Sequence, residues 1–164
     1  MNRDETIAHL KSRGIAFELE THKAVYTIEE MISEGVSSPE LIAKNLFVCD
    51  DKKRSFYLIS VRDDRRVDLK RFSKTYGIKR LRFAPEEKLE EILKLTRGAV
   101  TPLGLLADEQ KQVTFYIDRY FDGRRIGVHP CDNTATVWLQ TEDLVKVIRE
   151  HGNTIIWIDS FFED

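Results

Sequence analysis

Cysteine is scarce: Cys49 and Cys131 are the only two in 164 residues. Two thiols cannot build the disulfide framework of a small secreted domain, so a reducing, cytoplasmic setting is expected. Long apolar runs are missing as well; none approaches the ~18 residues that span a bilayer, and no membrane partner is expected. Proline (4) and glycine (8) are few, and no repeat, linker or low-complexity stretch divides the chain. Met1–Glu5 reads as a polar helix cap rather than a signal peptide. There is no Walker phosphate loop and no Gly-x-Gly-x-x-Gly, which leaves nucleotide-cofactor chemistry without support. His9, His22, His129 and His151 make no metal spacing with the cysteines, and no serine sits in a nucleophile elbow. No cofactor and no metal are expected.

What is present is enough apolar residue, 41%, for one core, and the length suits a single domain over 1–164. Asn2 with Glu5 predicts a capped helix ending near Gly14, and Ala16–Thr21 alternates as a strand. Thr27-Ile28-Glu29-Glu30 is a second capping box, with Ile28, Met31 and Ile32 expected on one face. Strands at 45–49 and 55–61 flank a charged turn and predict a hairpin. Helices follow at 68–76 and after Pro85, and Thr141 is expected to cap the last one. With further strands at 80–83, 113–117, 126–129, 134–139 and 154–159, the order is mixed. It predicts an α/β (α+β) domain with a mixed, about seven-stranded sheet flanked by helices.

The net charge of −2 hides a strong division. Between Lys52 and Arg82 twelve Lys/Arg stand against three acids, a net +9; the rest has fourteen against twenty-five, a net −11. Such a block is either a footprint for a polyanion or a solvated face.

Four stretches depart from simple elements: His22–Thr27, Ala43–Phe47, Gly98–Gly104 and His129–Thr136. Each has a purely structural alternative. Lys44 alone reads as a surface lysine, Asn45 as a turn residue, Gly98 as a helix C-cap, and His129 as a hydrogen-bonded strand end.

Taken together and in register, the chain resembles the YbaK/prolyl-tRNA-synthetase editing-domain family. The motifs are His22-x-Ala-Val-Tyr-Thr-Ile-Glu-Glu30, Lys44-Asn45-Leu46-Phe47, Arg66-Val67-Asp68-Leu69-Lys70, Gly98-Ala-Val-Thr101-Pro102-Leu-Gly104 and His129-Pro130-x-x-Asn133-Thr134-Ala135-Thr136. The likeness is strongest to the free-standing ProXp-ala (PrdX) branch, which deacylates alanine mischarged onto proline tRNA. It implies ester hydrolysis by a placed water without a cofactor. A synthetase pocket for proline cannot strongly reject a smaller residue, because a few methylenes are worth only ~1–3 kcal/mol.

The resemblance implies a catalytic Lys44 holding the developing oxyanion or the terminal phosphate, with Gly98, Thr101 and Pro102 forming the catalytic loop. It implies substrate contacts from Val25, Tyr26, Thr27, Asn45, His129 and Asn133. Acceptor-stem phosphates would meet Lys52, Lys53 and Arg54, together with Arg65, Arg66, Lys70 and Arg71. The implied partner is the acceptor end of proline tRNA, not DNA, with prolyl-tRNA synthetase as a second candidate. Alternatives are a cysteinyl-tRNA(Pro) deacylase, a non-catalytic tRNA- or synthetase-binding module, and a hydrolase that uses Cys131 as its nucleophile.

Overall fold

The computed structural model describes residues 1–63 and 66–159. Arg65, one of the expected RNA contacts, lies outside them. Helix α1 (Arg3–Ser12) begins at a reciprocal cap: Asn2 Oδ1 accepts from the Glu5 amide at 2.8 Å, and Glu5 Oε1 accepts from the Asn2 amide at 3.1 Å. Strand β1 (Phe17–Thr21) follows, then the short helix α2 (Ile28–Ser33). Thr27 caps α2 by accepting from the Glu30 amide, but the Glu30 carboxylate reaches Tyr26 rather than Thr27. Ile32, expected on the same face as Ile28 and Met31, is 54% exposed. A helix of six residues covers little area, and Met31 alone is fully buried from it.

The predicted hairpin is present as β2 (Lys44–Cys49) and β3 (Phe56–Val61), antiparallel with Lys44 opposite Val61 and Cys49 opposite Phe56. Helix α3 (Leu69–Tyr76) is capped by Asp68, which accepts from the Arg71 amide at 2.9 Å, and it ends at Gly77 with φ 66°. After β4 (Arg82–Phe83), α4 (Glu86–Lys88) runs into a π turn at Leu89–Leu93. The remaining elements are β5 (Val113–Asp118), β6 (Arg125–Val128), β7 (Ala135–Gln140), α5 (Thr141–His151) and β8 (Ile155–Ile158). Thr141 is the first residue of α5, not its cap; its amide donates to the Arg124 carbonyl at 3.0 Å, and its hydroxyl makes no cap bond.

The α/β class holds, but the expected sheet is two sheets. One is antiparallel with order β1-β7-β6; the other is mixed with order β4-β2-β3-β5-β8, its β3/β5 and β5/β8 pairs parallel. Alternation within a strand shows which side chains are buried, not which strand it pairs with. Both faces of β2 are buried. Phe47 and Cys49 join Phe56, Leu58 and Phe115 in a core that also includes Val137 of the other sheet. Leu46 and Val48 pack with Ile59, Phe72 and Tyr116 beneath α3. Burial there pushes the Tyr116 phenol up to about 12, so it stays uncharged.

Besides the shared core, one parallel bridge among the described residues joins the two sheets, Ile42 with Gly127, reinforced by the Ala43 amide donating to the Gly127 carbonyl at 3.2 Å. From this joint β2 leads on through Lys44, and the end of β6 leads on to His129. The candidate site lies where they part.

Candidate active site

A cavity of about 470 Å³ opens beside the joint. Val25, Met31, Ile42 and Val128 give it apolar walls; Lys44 and His129 stand on those walls, and Gly98 and Val100 line it as well. Lys44 and His129 each lie two residues beyond the bridged pair, so side chains 85 positions apart in sequence share one hollow. Gly127 also faces the cavity. A Cβ there would come within 2.8 Å of the Trp138 ring, so only glycine lets this wall rest on the tryptophan.

Lys44 is half-buried, and among the described residues its ammonium has neither an ion pair nor a hydrogen bond. A cation held on a cavity wall without a counter-ion is available to an anionic or carbonyl oxygen. Arg97, which the sequence reading did not single out, is a second such cation, exposed at the same cavity. Its only sequence signal is its place directly before the Gly98 stretch. Glu29, which falls within the His22–Glu30 motif, and Asp63, which carried no sequence signal of its own, add carboxylates to the lining.

Asn45 lines the cavity, yet its polar atoms already have protein partners. Its Oδ1 accepts from Ser60 Oγ at 2.5 Å, and its Nδ2 donates to the Val100 carbonyl at 3.2 Å. The side chain thus ties the loop around Gly98 to the strand that carries Lys44. Thr101 and Pro102 are buried and do not line the cavity. Thr101 Oγ1 donates to the His129 carbonyl at 2.6 Å and accepts from the Leu103 amide at 3.3 Å, fastening the same loop to the end of β6. These are supporting contacts rather than surfaces offered to a substrate.

Gly98 is a glycine for packing reasons. A Cβ there would sit 2.5 Å from Tyr26 Cδ1 and 3.1 Å from Asn133 Nδ2. Asn133 does not line the cavity; it donates its amide to the Val25 carbonyl at 2.9 Å and accepts the Val25 amide at its own carbonyl, 3.2 Å away. That clamp holds Val25 in the wall and Tyr26 at the cavity, where the tyrosine is 71% exposed. Thr27 also lines the cavity.

His129 donates Nδ1–H to the Ala135 carbonyl at 2.9 Å, which leaves Nε2 as the ring's acceptor nitrogen. Burial lowers its pKa, and nearby His22 lowers it further, outweighing the bond to Ala135 and the charge of Asp132. The wall therefore carries a neutral imidazole at neutral pH. Cys131 does not line the cavity, and burial pushes its thiol up, away from the thiolate that a nucleophile requires.

The basic block does not gather at the cavity. Val61 is paired with Lys44, so the chain running on through Asp63 to Arg66 starts at the cavity end of the sheet. Lys70 and Arg71 are exposed on α3. Lys52, Lys53 and Arg54 form the hairpin tip at the opposite end of β2.

A lysine without an ion pair among the described residues and a neutral histidine, lining one hollow with a glycine loop, suit the cleavage of a polarised carbonyl compound. Residues 22–147 match the aminoacyl-tRNA editing domain family. The chain belongs to this family, whose members are hydrolases of the aminoacyl-tRNA ester bond. Among its relatives is the prolyl-tRNA editing protein ProX of Acetoanaerobium sticklandii, 42% identical over 153 residues and covering 93% of each chain. A prolyl-tRNA synthetase associated domain-containing protein 1 of Danio rerio is 36% identical over 155 residues, covering 93% of this chain and 84% of that one. A solved structure described as a candidate trans-editing enzyme for prolyl tRNA synthetase shares the fold. Its TM-score is 0.74 at 20% identity, over 100% of this chain and 99% of that one. Among the described residues no helix is long and apolar enough to cross a membrane, and no three His, Cys, Asp or Glu side chains group as a metal site.

Proposed function

We propose that the protein acts in trans, in the cytoplasm, as a deacylase of alanyl-tRNA(Pro). The observation that carries this reading is Lys44, an ammonium that makes no ion pair among the described residues, on the wall of a cavity sized for an aminoacyl group and the terminal ribose. In the reaction, water attacks the ester carbonyl carbon and the carbonyl oxygen gains negative charge, which Lys44 stabilises. The carbon–oxygen bond to the ribose then breaks, and the departing ribose oxygen takes up a proton. Free alanine and a tRNA with its terminal hydroxyl restored are the products. No protein side chain is assigned as general base; the neighbouring ribose hydroxyl of the substrate helps to place the water.

Val25, Met31 and Val128 favour a small apolar side chain, and His129 limits the depth. Asn45, Thr101, Pro102 and Asn133 hold this arrangement; Tyr26, Thr27 and Arg97 meet the incoming acceptor end. Arg66, Lys70 and Arg71, with Arg65, offer charge to its phosphates. Prolyl-tRNA synthetase, which generates the mischarged tRNA, is the partner proposed to supply it.

A deacylation panel tests the reading, with proline tRNA carrying alanine, cysteine, serine or proline. Alanine is expected to be released fastest and proline left intact. Preference for cysteine overturns the specificity, and hydrolysis of none overturns the activity. Lys44→Ala is expected to lose ~10²–10³ in kcat while remaining folded, the range of a lost oxyanion partner.

A further inference from the structure

Two loops that are 25 positions apart in sequence are bound together at the far end of the five-stranded sheet. The Asp51 amide donates to the Lys79 carbonyl at 3.2 Å, and the Arg82 guanidinium donates to the Asp51 carbonyl at 3.3 Å. These bonds place Lys52, Lys53 and Arg54 of the hairpin tip beside Lys79, Arg80 and Arg82, all six exposed. The tip also holds two acids, so the six cations stand against two carboxylates: Asp51, and Asp50, whose Oδ1 accepts the amides of Arg54 and Ser55 at 2.8 and 3.2 Å and closes the turn. Lys52, Lys53, Lys79 and Arg80 make no ion pair among the described residues.

Two of these cations occupy backbone that favours glycine. Lys53 has φ 54° and Arg80 has φ 51°. A glycine would sit there with less strain, yet each loop carries a long cationic side chain.

The cluster and the cavity lie along one sheet edge. Strand β4 covers only Val48 and Cys49 of β2, while Lys44 stands at the strand's other end. At about 3.3 Å per residue the two ends of β2 are roughly 16 Å apart, and the tip begins beyond that. A single-stranded nucleotide held at Lys44 does not occupy both places.

We propose that Lys52, Lys53, Arg54, Lys79, Arg80 and Arg82 form a second, separate contact. It binds the phosphate backbone of double-stranded RNA while the cavity holds the unpaired 3′ end. The inference rests on the aminoacyl-tRNA reading for the identity of the RNA. The cluster supplies affinity and orientation without reading sequence, and its contribution falls steeply with salt.

The test measures binding by the intact protein, so it does not depend on hydrolysis. The probes are an RNA hairpin with a 3′ CCA overhang and a single-stranded oligonucleotide ending in CCA, each titrated between 50 and 200 mM salt. The variant is Lys53→Gly with Arg80→Gly, which relaxes both backbones. Its melting temperature is expected to equal or exceed that of the parent. Affinity for the hairpin is expected to fall about 10-fold, and the slope of log affinity against log salt to shrink by about two. Binding of the single strand is expected to be unchanged. Unchanged hairpin affinity and slope overturn the proposal, as does an equal loss for both RNAs. Loss of binding to anionic phospholipid vesicles with hairpin binding intact also overturns it. If the deacylation panel is negative but the hairpin slope falls, the proposed activity fails and this contact stands.

Discussion

The side-chain amide of Asn45 donates to the main-chain carbonyl of Val100 at 3.2 Å, joining residues 55 positions apart in sequence, and Ser60 holds the other end of the same amide. One side chain thereby sets the spacing between the strand that carries Lys44 and the loop that carries Gly98. Asn45→Ala leaves the Ser60 hydroxyl and the Val100 carbonyl without these bonds. The expected cost is about 1–3 kcal/mol of stability, read from denaturant unfolding. kcat is expected to fall about 10-fold or more with a smaller change in KM, because a misplaced loop damages alignment before it damages binding. An unaltered kcat would show that the loop is held without this bond.

Gly98 and Tyr26 are predicted to be coupled. In Gly98→Ala the new methyl would lie 2.5 Å from Tyr26 Cδ1, so the exposed ring must swing off the loop. Melting temperature is expected to change little, since the ring gives way into solvent. kcat/KM is expected to fall about 10-fold, and Tyr26→Ala to have a similar effect. The double variant should then lose much less than the product of the two. Additive losses in this double-mutant cycle would disprove the coupling.

The pH dependence follows from His129. Its pKa lies below the ordinary histidine value because burial disfavours the imidazolium, so the unfolded chain takes up this proton more readily than the folded one. Stability from this residue is complete above about pH 6.5 and declines as the pH falls from there through the lowered folded-state value. His129→Gln is expected to remove that part of the decline. Unfolding measured between pH 5 and 8 on both proteins checks it, and parallel curves would contradict it.

Cys131→Ser is expected to leave deacylation within about two-fold of the parent. The thiol lies off the cavity and is held protonated by burial. A loss of several hundred-fold, measured on alanyl-tRNA(Pro), would restore the cysteine-nucleophile reading.

Features governed by neighbours in sequence were legible before any coordinates. The Asn2–Glu5 cap, the hairpin around Asp50, the Asp68 cap and the stop at Gly77 each depend on residues within a few positions. Pairing between distant segments was not legible. The alternation of Phe17–Thr21 and of Ala135–Gln140 marks both as strands, but nothing local says that they pair with each other and leave β2 to another sheet. The same limit applied to the site. Lys44, Gly98 and His129 were identified by their motifs, and all three reach one cavity. Thr101 and Asn133 share those motifs, yet their hydrogen bonds to His129 and Val25 turn them into struts. Arg97 and Asp63 were missed because a lone charge in a loop does not reveal what lies opposite it.

The joint between Ile42 and Gly127 is the only strand-like link between the two sheets among the described residues, and the hollow opens immediately beyond it. The width of the cavity is therefore an angle as much as a set of side chains. A small rotation of one sheet against the other about this pivot would widen or narrow the gap between Lys44 and His129 without altering any wall residue. Substitutions beneath the pivot, at Trp138 for example, would then change which amino acid is accepted from outside the chamber itself.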